Sequence, residues 1–163
     1  MDVSTFYALF SATCFTLTGL WWSVVEKHRD WVRIPAMRRR VGSVYLAFLL
    51  PALMGLFAQI GGSESPAFWR VGFVVIAFVG CASTVVLLRN ARHEVDAGPF
   101  ARHWWGAAVL YAVVALLGVA PELAGSVGLT ALQAEATVLV LLVTVAHALV
   151  WEFMTHEVHR EPT

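Results

Sequence analysis

Residues 129–151 read LTALQAEATVLVLLVTVAHALVW, with Glu135 as the only charged side chain. A helix needs about 20 apolar residues to cross the ~30 Å hydrocarbon core of a bilayer, and this stretch is long enough. Its polar residues do not scatter. Thr130, Gln133, Thr137, Thr144, His147 and Trp151 recur at spacings of three, four and seven, so a 3.6-residue period gathers them on one face. Glu135 falls on the opposite face. A polar stripe on an otherwise apolar membrane helix is expected to face protein or water, not lipid.

Working outward, residues 4–25, 41–60, 68–88 and 104–120 pass the same test or nearly so, and Arg70 is the only charged residue in them. The whole chain of 163 residues is 59% hydrophobic and 13% charged, against about a quarter charged in an ordinary soluble domain. These numbers exclude a water-soluble globule, a disordered chain and a disulfide-stapled secreted module. They predict an all-α fold: one polytopic membrane domain over residues 1–163, a five-helix bundle with a short tail at 152–163.

Placement of charge predicts the orientation. Lys27, Arg29, Arg33, Arg38, Arg39, Arg40, Arg89, Arg92, Arg102 and Arg160 all fall on one side of the five spans, and Arg70 alone on the other. The positive-inside rule makes the first side cytoplasmic, with the N-terminus outside and the C-terminus inside. Arg38–Arg40 are expected to meet anionic lipid headgroups. Trp21, Trp22, Trp31, Trp104, Trp105 and Trp151 read as anchors at the inner boundary and Trp69 at the outer one. The dominance of Arg over Lys, with abundant Ala, Val and Leu, points to a bacterial plasma (inner) membrane.

Small residues mark helix contacts: Ser4, Ala8, Ser11, Cys14 and Thr18 on the first span, with Gly80 and Gly118 on later ones. Pro51 removes a hydrogen bond to the Ala47 carbonyl and is expected to kink the second span, with Gly55 one turn on; the two form a candidate hinge. Glu135 is expected to pair with Arg70, which stands at a similar depth. The alternatives are an oligomer contact or a carboxylate that captures cations at an outer mouth. His147 is a candidate proton relay or ligand group. Beyond the membrane, Glu152, His156 and His159 have helical spacing that suits a metal site, though no tight ligand motif is present.

No phosphate-binding loop, nucleophile elbow or haem motif occurs, so no catalytic residue is assigned and no cofactor named. The basic loops lack the interleaved aromatics of a nucleic-acid surface. The expectation is a small channel or transporter, oligomeric because a single five-helix bundle leaves little room for a pore. Its polar pathway would be lined by the fifth span (His147, Thr144, Thr137, Gln133), with Glu135 and Arg70 as further candidates. The alternative is a non-enzymatic membrane module that binds a hydrophobic ligand or serves as an accessory subunit of a membrane complex.

Overall fold

The computed structural model describes residues 2–62, 65–91, 105–126 and 128–158. Every regular element among them is a helix: α1 (Val3–Lys27), α2 (Arg29–Arg33), α3 (Pro35–Gly61), α4 (Pro66–Ala91), α5 (Trp105–Val119), α6 (Glu122–Gly125) and α7 (Ala131–Val158). Four of these, α1, α3, α4 and α7, are long and apolar enough to cross a membrane, and α5 is a shorter apolar helix of 15 residues. Such a set suits a multi-pass membrane protein.

Local chemistry explains where the helices begin. Pro35 opens α3 directly after extended Ile34, a position where its missing N–H is no loss. Residues 26–40 read as a loop in the sequence, yet the structure makes most of them helical. Here α2 carries a buried Trp31 whose ring stacks on His28 at 4.3 Å, and α3 begins ahead of its arginines. At the far end of the chain, Thr130 and Gln133 form a capping box before α7. The Thr130 N–H donates to Gln133 Oε1 at 2.9 Å, and the Gln133 N–H donates to Thr130 Oγ1 at 3.3 Å.

Packing is organised around α3, which lies against α1, α4 and α7, while α5 packs on α4 and α7. Between α1 and α3 the fit is close. Ser11 Oγ donates to the Ala52 carbonyl at 3.1 Å, and a Cβ on Gly55 would land on that same hydroxyl. Pro51 lies in this seam, buried, and α3 continues through it as one helix. Gly55 is therefore first of all a contact glycine. The α1 seam follows the small-residue pattern only in part: Ser11, Cys14 and Thr18 are buried, whereas Ser4 and Ala8 are exposed. Tyr7, Trp21 and Val25 complete the buried stripe. On the other flank, the Tyr111 ring fills the space beside Gly80.

Two aromatic-rich cores result. One gathers Tyr7, Met54, Trp69, Phe73, Tyr111 and Leu139; the other gathers Trp21, Trp31, Val41, Phe48 and Phe153. The tryptophans thus divide into two groups. Trp21, Trp31 and Trp69 are interior residues, with Trp21 Nε1 donating to the Val41 carbonyl at 3.1 Å, while Trp22, Trp105 and Trp151 are exposed as anchors should be. The outward surface is apolar as well, as Phe78 (75% exposed) and Ile60 (72%) illustrate. A water-facing surface rarely carries so many large apolar side chains together, whereas a lipid-facing one requires them.

Candidate functional site

The two faces of α7 have different fates. Along one, Glu135, Leu139, Leu142, Ala146, Leu149 and Phe153 are buried against the rest of the protein. Along the other, Thr130, Gln133, Thr137, Thr144, His147 and Trp151 are all exposed. The grouping on one face is as expected, but within a single chain the stripe faces outward and lines no interior path. Three of its side chains bond carbonyls of their own helix. Thr137 Oγ1 donates to the Gln133 carbonyl at 3.1 Å, Thr144 Oγ1 to the Val140 carbonyl at 2.9 Å, and His147 Nδ1 lies 2.8 Å from the Val143 carbonyl. Back-bonding of this kind lets a hydroxyl face lipid without a partner. The His147 ring also rests edge-on against Phe48 at 5.3 Å. Gln133 and Thr130 have a simple task in the capping box, and Thr130→Ala is expected to cost about 1 kcal/mol, read as a lowered unfolding midpoint with the fold retained.

Glu135 is the anomaly. It is 0% exposed, and neither Oε1 nor Oε2 has a hydrogen-bond partner. An unpaired carboxyl group in such surroundings is costly, and buried polar groups are otherwise nearly always satisfied. Arg70 does not meet it. The guanidinium instead clamps the last carbonyls of α5, with Nε donating to Gly118 O and Nη2 to Val119 O, each at 2.8 Å. The expected ion pair is therefore corrected to a helix C-cap: a cation satisfies carbonyls that have run out of intrahelical donors and stands at the negative end of the helix dipole.

What surrounds Glu135 is the first core. Glu135 sits five residues beyond the Thr130 cap, about 7 Å along the axis. One turn before it, the Leu132 carbonyl accepts a hydrogen bond from Tyr7 Oη at 2.8 Å, which ties α1 to α7 across the core. Short α6 contributes the buried Ala124 to this cluster. A carboxyl group, a tyrosine and a helix-to-helix hydrogen bond thus converge at one point of an otherwise apolar interior. The periodicity had already separated Glu135 from the stripe; no signal in the chain marked Tyr7 as its neighbour.

A second feature lies further along. A cleft between α3, α4, α5 and α7 encloses a cavity of about 40 Å³ lined by Ser43, Ala47, Gly80, Thr84, Tyr111 and Leu142. Its wall is mostly apolar, with the Ser43 and Thr84 hydroxyls bonded to carbonyls of their own helices. The cavity has room for roughly three waters or the end of an alkyl chain.

Of the residues considered for a metal, Glu152 is half-buried on α7, while the side chains of His156 and His159 lie outside the described residues. Among the described residues no group of three or more His, Cys, Asp or Glu is placed to hold an ion. Compared with protein-family models, with curated proteins and with solved structures, the chain matches none.

Proposed function

We propose that this chain is a small integral membrane transporter or channel subunit in which the carboxyl group of Glu135 binds the moving species. The observation that carries the reading is the fully buried Glu135 with both oxygens unpartnered. An ionisable group inside a membrane bundle is expensive to keep and marks a pathway more often than a packing role. Five spans, an external N-terminus and a bacterial inner-membrane location complete the proposal. The basic residues around Arg38–Arg40 then lie against anionic headgroups of the cytoplasmic leaflet.

The proposal includes an oligomer, in which the outward polar stripe would lie between copies. If Gln133, Thr137, Thr144 and His147 line a path, they do so between copies of the chain, because within one copy they face away from its core. Flux in proteoliposomes separates the two routes. Glu135→Gln is expected to abolish uptake, while His147→Ala and Gln133→Ala retain it within about twofold. Loss of flux in the latter pair, with Glu135→Gln unaffected, would move the pathway to the subunit boundary and overturn the assignment of Glu135.

The runner-up is a membrane module that binds a hydrophobic ligand, favoured by the cleft beside Tyr111 and Gly80. Under that reading Gly80→Leu would displace a co-purifying lipid and leave no flux to lose.

A further inference from the structure

We propose that the species bound at Glu135 is a proton, exchanged with the end of the protein that bears the N-terminus, and that Tyr7 is the positioning residue that closes the site. The inference rests on the transport reading and names its substrate class.

The ligand set decides between a proton and a metal cation. Alkali and alkaline-earth ions are held by several oxygens converging on one point. Glu135 supplies two, and neither has a polar partner. Among the described residues no second carboxyl group is buried. A proton needs one oxygen. Its binding forms a single O–H bond on a carboxylate, consumes the charge, and requires no other reactant.

Charged and titratable neighbours give the site no fixed counter-ion. From α1, Tyr7 bonds the turn of α7 just before Glu135. The α3 residues of the same core are apolar, and Gln59 beyond them donates to the Gly55 carbonyl. On α4, Arg70 is committed to the α5 carbonyls; α5 brings Tyr111 to the same core, and Glu122 of α6 is exposed. Uptake of a proton is thus the one neutralising event that these neighbours leave to Glu135.

The route follows from position. Glu135 lies near the start of α7, with 23 helical residues between it and the other end of that helix. On the near side the Tyr7–Leu132 hydrogen bond stands one turn closer to the start of α7, where α6 packs with its buried Ala124. Because α1 leans chiefly on α3 and touches α7 much less, breaking that hydrogen bond opens a path at little cost to the rest of the fold.

The test uses the full chain in liposomes. A hydrophobic fluorescent carbodiimide, which adds to un-ionised carboxyl groups in apolar surroundings, is followed at a series of pH values, with the acid C=O stretch read by infrared difference spectroscopy. The expected result is a single adduct at Glu135 whose formation slows as pH rises, absent in Glu135→Gln and indifferent to sodium or potassium. Tyr7→Phe is expected to label about fivefold faster, the weight of one hydrogen bond. Protection by sodium at constant pH would overturn the proton assignment in favour of a metal cation. Labelling of Tyr7→Phe at the wild-type rate would overturn the closing role of Tyr7. Absence of both adduct and acid band in the wild type would overturn the site itself. Loss of flux in Glu135→Gln together with sodium protection would leave the transport reading standing and sink this one. A proton site in a protein without flux would do the reverse.

Discussion

Glu135→Leu is expected to raise the stability of this protein by about 1–3 kcal/mol, the cost of leaving a buried polar group without partners. Leucine approximates the volume of the glutamate side chain and brings no polar atom into a core already built from Tyr7, Met54, Phe73 and Leu139. The sign is what makes the measurement informative, since most substitutions at fully buried positions destabilise. A higher unfolding midpoint in detergent, combined with lost flux, is the signature of a residue kept for function at the expense of the fold. A lowered midpoint would mean that Glu135 has partners that hold the bundle together, and the proposed role would fall with it.

The second large effect lies in the seam between α1 and α3. Gly55→Leu places four heavy atoms where the Ser11 hydroxyl now sits, against a backbone held by the Ser11–Ala52 hydrogen bond. Neither helix can yield by a rotamer change alone, so α1 must shift outward. A loss of about 3 kcal/mol is expected, at the upper end of overpacking costs, visible as a lower midpoint and faster proteolysis of the N-terminal helix. Because α1 carries Tyr7, the displacement also strains the Tyr7–Leu132 contact. Ser11→Gly in the same chain is expected to restore part of the loss. If Gly55→Leu is silent, α1 is held less tightly than its buried Tyr7, Ser11, Cys14 and Thr18 imply.

The long helices were legible in the chain because hydropathy along 129–151 and its counterparts is nearly uninterrupted, and their bounds move by only a few residues apart from the extended ends of α3 and α7. Periodicity told which residues share a face of α7 and put Glu135 opposite the stripe. It could not tell which face points inward, because a threonine that bonds its own carbonyl suits lipid as well as protein. Arg70 shows the same limit in another form. Two residues at one depth suggest a pair, but whether they meet depends on the azimuth of each helix, which a single sequence leaves open. The tryptophans mark helix ends in either case, yet Trp21, Trp31 and Trp69 turn inward while Trp22, Trp105 and Trp151 turn out.

The 15 described residues of α5 cover about 22 Å and end at Val119, two residues before Pro121. The Arg70 clamp fixes where α5 stops, because its guanidinium takes carbonyls that the helix can no longer satisfy. One side chain of α4 therefore governs how far α5 reaches, and Arg70→Ala would let that end fray and loosen the turn into α6.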